Sequence, residues 1–255
     1  MPRRARKESS TEIYHVMTRG LNKMPVFKQY REKTRMVNLI RENLSKYEVA
    51  IYAYCIMPNH FHLLIKADLK ELASFMAKIL ADFAKYYNFK HQRIGYVFQD
   101  RYKSQCIEKE SYFWNCMRYI HLNPINENNL KNLINYTHCS IKEIYFQKPD
   151  IISEEMLEII DKKFENMQEF LDFHQRRSWD MFEDVDEEFD ENCLRIGLEL
   201  LRQYEIRYSV SKREVLDYVK LREEYRGELK QILGVSNRRI SVLLEKLRNN
   251  AKGTE

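Results

Sequence analysis

The sequence predicts an α+β domain, an antiparallel sheet with helices packed on one face, joined to an all-helical C-terminal region. Three observations carry that expectation. β-patterned segments alternate with long amphipathic ones through the first half of the chain. Six Gly and five Pro in 255 residues are too few for a loop-rich all-β protein. The remainder shows helical periodicity only, and 44% hydrophobic residues suffice for real cores.

Taken in order, Ile13 to Arg19 reads as a strand, closed by Gly20, Leu21 and Asn22. From about Arg31 to Tyr47, Met36, Val37, Leu39, Ile40 and Leu44 mark one helical face. Val49 to Met57 is β-rich, and a second β pattern starts at His60. Pro58-Asn59 between them fits either a hairpin or one kinked strand. Leu72, Met76, Ile79, Leu80, Phe83 and Tyr87 mark a long amphipathic helix. Gly95 ends that region, and Tyr96 to Glu108 reads as extended. Ser111 can cap a further helix through Trp114, Tyr119 and Ile120. Pro124 terminates it, which leaves Asn123 at or past the last turn.

Chemistry concentrates in two places. Alternation from His60 puts His60 and His62 on one face of their strand, with Phe61, Leu63 and Ile65 on the other. Two imidazoles on a rigid strand make a metal-ligand pair, and the plainer alternative is two hydrogen-bonded structural histidines. Tyr119 and Asn123, four apart, share a helical face. Tyrosine can act as a covalent nucleophile and an amide oxygen can ligate a hard metal. Arg118 and Lys103 are suited to phosphate. Tyr112, two turns before Tyr119, is its internal competitor among 17 tyrosines, most of which must serve packing.

The formal net charge of +5 is compatible with nucleic acid without requiring it. Arg3, Arg4, Arg6 and Lys7 form a basic N-terminal arm, and Arg19 adds a further cation. The five cysteines are scattered, with no Cys-x-x-Cys pair, which argues for a reduced cytoplasmic protein without a disulfide framework. No apolar run approaches transmembrane length and no signal peptide is evident. No glycine-rich phosphate loop is present, so no nucleotide cofactor is expected.

His60-Phe-His62, followed by Arg118-Tyr-Ile-His-Leu-Asn-Pro-Ile125, resembles the single-tyrosine HUH transposases of the smallest bacterial insertion sequences. The branch associated with repetitive extragenic palindromes is the most similar. Its other signatures resemble Ile13 to Gly20, Tyr54 to Leu64 and Val97 to Lys103, in the same order. The resemblance implies a ferredoxin-like, RRM-like domain whose histidine pair binds a divalent ion, Mg or Mn. It implies cleavage and joining of single-stranded, hairpin-associated DNA through a 5′-phosphotyrosine and a free 3′-hydroxyl. The match places the metal on His60, His62 and Asn123 and the nucleophile on Tyr119. Some relatives share active sites across a homodimer. The chain departs from the family after Asn-Pro, where Ile125 to Leu130 lacks the usual glycine-containing segment.

In the second half, Glu154 to Phe173 reads as helical. Asp180 to Glu191 is acidic, a solvated linker or, through Met181, Phe182, Val185 and Phe189, a docking segment. Leu229 to Leu247 has helix-turn-helix grammar: Gly234 gives the turn and Ser236 caps the second helix. Asn237, Arg238, Arg239 and Ser241 are then exposed toward DNA. A helical bundle that only packs explains the same pattern. The expected organisation is therefore an arm over 1–12 and a catalytic domain over 13–150. A helix and acidic linker follow over 151–192, then a helical DNA-binding domain over 193–255.

Overall fold

The computed structural model describes residues 6–124, 134–175, 186–233, 235 and 237–252, and not the side chains of 186–192 or 251–252. The chain divides into two compact units, 1–176 and 177–255.

The first unit is built on four strands: β1 (Ile13–Arg19), β2 (Val49–Ile56), β3 (His60–Ala67) and β4 (Lys103–Cys106). Their order is β2-β3-β1-β4, and every pairing is antiparallel. The histidine strand β3 is thus held on both sides. Pro58 and Asn59 form a hairpin, closed where the Met57 N–H donates to the His60 carbonyl at 2.8 Å. Tyr52 is the extra residue of a bulge between Ile51 and Ala53.

Helix α1 (Tyr30–Leu44) opens on a capping box between Gln29 and Glu32. Helix α2 (Leu69–Lys90) opens on Asp68, whose carboxylate accepts from the Lys70 N–H at 2.7 Å. Opposed residues share a face of an antiparallel pair. The register therefore places His15, Met17, Arg19, His60 and His62 on one face, with Thr18, Phe61 and Leu63 on the other. Phe61 meets Phe27, which meets Phe83 of α2 at 4.7 Å between ring centroids. Helices α1 and α2 pack together and supply the expected helical layer.

Helix α3 (Glu110–Leu122) is an addition to the one-face expectation. It lies on the histidine face, because Phe113, Cys116, Met117 and Ile120 give it an apolar side to bury there. Its N-cap is Lys109 rather than Ser111, which is already helical. Of the stretch expected as extended, only β4 and an isolated bridge from Phe98 to Gly20 are β-structure.

Three short helices follow: α4 (Ile141–Tyr145), α5 (Glu154–Lys163) and α6 (Met167–Gln175). Cys139 and Ile152 bridge to Cys55 and Ile51, which covers the outer edge of β2. The single helix expected over Glu154 to Phe173 breaks at Phe164, whose backbone is extended and whose ring packs 5.3 Å from both Trp114 and Phe170. Asn166 then accepts from the Glu169 N–H at 3.0 Å and starts α6. These contacts on α3 explain why the unit extends to residue 176 and does not end near 150.

The second unit is a bundle of α7 (Asp186–Tyr208), α8 (Lys212–Asp217), α9 (Val219–Leu233) and α10 (Asn237–Lys252). Leu200, Tyr204, Tyr225, Leu229, Ile240 and Leu247 fill its core. The Tyr225 hydroxyl donates to the Gly197 carbonyl at 2.7 Å, and a Cβ at Gly197 would meet Leu247 at 2.9 Å. The apolar positions of the helix-turn-helix pattern are buried here as a packed bundle requires. Gly234 and Ser236 lie outside the described residues, as do 180–185 of the acidic segment; 186–191 belong to α7, so the helical region starts before 193. Among the described residues no helix is long and apolar enough to cross a membrane. All five cysteines are free thiols.

Candidate active site

The histidine face of the sheet and the C-terminal turn of α3 meet at one point. His60 and His62 project together, ring centroids 4.8 Å apart, and are 6% and 0% exposed. The His60 Nδ1–H donates to Asn59 Oδ1 at 2.6 Å, since an amide oxygen only accepts. That leaves Nε2 of His60 as the nitrogen with a ligating lone pair. His62 Nδ1 lies 3.0 Å from His15 Nε2, and the two rings stack at 5.2 Å. Nε2 of His62 faces the Asn123 amide at 3.3 Å.

Asn123 caps α3, and its N–H donates to the Tyr119 carbonyl at 3.0 Å. The four-residue spacing thus delivers both side chains to the histidines. The Tyr119 ring stands edge-on to His62 at 5.5 Å and to His15 at 5.9 Å. It is Tyr119, and not the half-buried Tyr112 two turns earlier, whose ring has these contacts.

Burial pushes the His15 imidazolium down to about 3. Burial, aided by the Arg19 guanidinium and opposed by a hydrogen bond to the Asn123 amide, takes His60 to about 4. Burial, with His60 and His15 beside it, holds His62 well below the ordinary value. Neutral imidazoles are the ligating form. Two such nitrogens and one amide fit a divalent ion with open positions, once the amide turns its oxygen inward, an orientation set by the hydrogen-bond network. Among the described residues no group of three or more His, Cys, Asp or Glu could hold a metal ion.

The expected phosphate ligands divide. Lys103 is exposed and opposes Met17, so it borders the histidine face. Arg19 opposes His60 and is only 8% exposed. Arg118 points elsewhere: it donates to Asn115 Oδ1 at 2.8 Å and to the Phe173 carbonyl at 3.4 Å, with its guanidinium 4.8 Å over the Phe173 ring. It is buried and joins α6 to α3. Arg3 and Arg4 lie outside the described residues, while Arg6 stacks 3.7 Å over Tyr102. Asn237 and Arg238 are exposed on α10 of the second unit, where Arg238, Arg239 and Lys246 line a cavity of about 310 Å³ floored by Val235, Val242 and Leu243.

Two features escaped the sequence reading. One is His15, whose only signal is that it alternates with Met17 and Arg19 on β1. The other is a buried chain through His121. His174 Nδ1–H donates to the Phe170 carbonyl at 2.8 Å, so its Nε2 accepts from His121 Nδ1–H at 2.8 Å. Nε2 of His121 then accepts from the Ser140 hydroxyl at 2.8 Å, and Ser140 Oγ accepts the Tyr54 N–H at 2.9 Å. This chain joins α6, α3 and β2 two residues from both Tyr119 and Asn123.

Residues 8–123 match the family model described as "Transposase IS200 like". That span includes the histidine pair and ends on Asn123. Among solved structures, the chain is similar to one described as the REP-associated tyrosine transposase bound to a REP hairpin. The identity is 13% and the TM-score 0.47, over 60% of this chain and 91% of that chain. No curated protein matches.

Proposed function

We propose, from an N-terminal domain that matches the IS200-like transposase family, that this protein is a metal-dependent endonuclease and strand transferase acting on single-stranded, hairpin-associated DNA. The observation that carries the reading is that one helix brings Tyr119 and Asn123 to the buried His60–His62 pair. A divalent ion held by His60, His62 and Asn123 would polarise the scissile phosphate and offset its developing charge. The Tyr119 oxygen attacks phosphorus, the P–O3′ bond breaks, the phenol gives up its proton, and the leaving oxygen takes one to become a 3′-hydroxyl. The 5′-phosphotyrosine conserves the bond energy, so a 3′-hydroxyl can reverse the step without a nucleotide cofactor. Lys103 and Arg19 favour a phosphate-bearing strand on the same face. Arg238, Arg239 and Asn237 supply a second DNA contact from the helical unit, and the protein acts as monomer or homodimer.

The test is a denaturing gel of the protein with labelled hairpin DNA from its own locus and manganese. A protein–DNA adduct supports the reading. Cleavage without an adduct identifies a hydrolase that uses water, and binding without cleavage identifies a DNA-binding protein of the same fold.

A further inference from the structure

Helix α2 is capped by His91, whose N–H donates to the Tyr87 carbonyl at 3.0 Å. Within eight residues the chain exposes Phe89 at 88%, Ile94 at 100% and Tyr96 at 83%. Asn88 Nδ2 donates to the Gly95 carbonyl at 2.9 Å and the Arg93 N–H donates to the Asn88 carbonyl at 2.9 Å. These bonds close the turn at its neck, so the neighbours of Asn88 and of Gly95 stand on one knob. Gly95 has φ +103° and open space around it, which suits a left-handed turn at a surface. The base is rigid: Glu32, 1% exposed, accepts from Lys90 Nζ at 2.9 Å and pairs with His91 at 2.7 Å. Three apolar side chains are thus held in water on a fixed support, where an exposed patch signals a partner.

The surroundings say which partner. From residue 85 to 103 the sequence carries Lys85, Lys90, Arg93, Arg101 and Lys103; Lys90 is taken by Glu32 and Lys85 lies 3.8 Å from Asp82, which leaves Arg93, Arg101 and Lys103 against the acid Asp100. An apolar protein surface would have to desolvate those cations without repayment. A strand of unpaired nucleotides satisfies both, with phosphates on the cations and bases on the rings. The knob also leads into the candidate active site. Beyond Tyr96, the Leu21 N–H donates to the Val97 carbonyl at 2.9 Å and the Gln99 N–H to the Arg19 carbonyl at 3.0 Å. Arg19 in turn opposes His60.

We propose that Phe89, Ile94 and Tyr96 form a base-stacking platform for the unpaired nucleotides that flank the bond attacked by Tyr119. This rests on the functional reading above and adds a binding subsite to it. The experiment uses the full chain and two labelled DNAs in fluorescence anisotropy, a hairpin with an unpaired flank and the same hairpin cut blunt. Combined Phe89→Ala and Tyr96→Ala should weaken binding of the flanked hairpin roughly tenfold or more and leave the blunt one unchanged. Phe89→Tyr with Tyr96→Phe should retain affinity. A flank carrying 5-iodouracil should photocrosslink to the peptide containing Phe89 or Tyr96. Wild-type affinity in the alanine pair, with the Tyr119 adduct still formed, overturns the platform alone. A dimer lost in the alanine pair while affinity for flanked DNA stays the same overturns it in favour of self-association. Failure of the wild type to bind either DNA overturns the platform together with the functional reading.

Discussion

His15 Nε2 lies 3.0 Å from His62 Nδ1, and this contact decides which nitrogen of His62 is available at the site. For Nε2 of His62 to ligate, Nδ1 must carry the proton and donate it to His15. His15 is therefore a positioning residue one shell behind the pair. His15→Ala should lower manganese affinity roughly 10- to 100-fold, and His15→Gln, which keeps an acceptor, should lose less. Isothermal titration measures this without reference to cleavage. Equal affinity in His15→Ala and wild type would show that the contact orients nothing.

The buried chain through His121 holds the helix that carries Tyr119. Removing His174 leaves the buried His121 Nδ1–H without its acceptor, a penalty of about 1–3 kcal/mol before any cavity cost. His174→Ala should lower the melting temperature and also the yield of adduct under conditions where the protein stays folded. His174→Gln should recover part of both. A variant that melts early yet forms adduct at the full rate would confine His174 to stability.

The same burial predicts a direction for pH. His174 and His138 titrate near 4 in the fold, pushed down by burial, against about 6.5 in the unfolded chain. Between those values the unfolded state binds more protons, so stability rises with pH. The contribution is complete above about 6.5 and is lost as pH falls toward 4, on the order of 1–3 kcal/mol per histidine. Urea unfolding at intervals from pH 7 to 4.5 should show this slope, and His174→Leu should flatten it. A slope unchanged by that substitution would remove His174 from the account.

Arg118 and Lys103 separate packing from DNA contact. Arg118→Ala should destabilise the first unit by breaking the α3–α6 clamp, with the salt dependence of DNA binding unchanged at temperatures where it is folded. Lys103→Ala should leave stability alone and reduce the salt slope by about one phosphate contact. Anisotropy titrations across salt concentrations, beside thermal melts, distinguish them. The opposite pattern would reverse the two assignments.

Much of this arrangement is legible in the chain. Alternation from His60 states that two imidazoles share a face, and the spacing of Tyr119 and Asn123 states that they share another. Which strand lies beside β3 is not local information, so His15 stayed hidden: only the pairing of β1 with β3 shows it facing His62. Arg118 illustrates the converse. Its neighbours in sequence suggest phosphate, but Phe173 of α6 arrives from tertiary packing, and its carbonyl accepts from the guanidinium. The break at Phe164 has the same origin, because a helical pattern does not record that one ring is needed against Trp114.

The most direct measurement is mass spectrometry of the peptide that retains nucleotide after reaction with hairpin DNA and manganese, in wild type, Tyr119→Phe and Tyr112→Phe. The account predicts a phosphotyrosyl nucleotide on Tyr119 in the wild type and in Tyr112→Phe, and no adduct in Tyr119→Phe. Nucleotide on Tyr112, or cleavage that survives Tyr119→Phe, would contradict it.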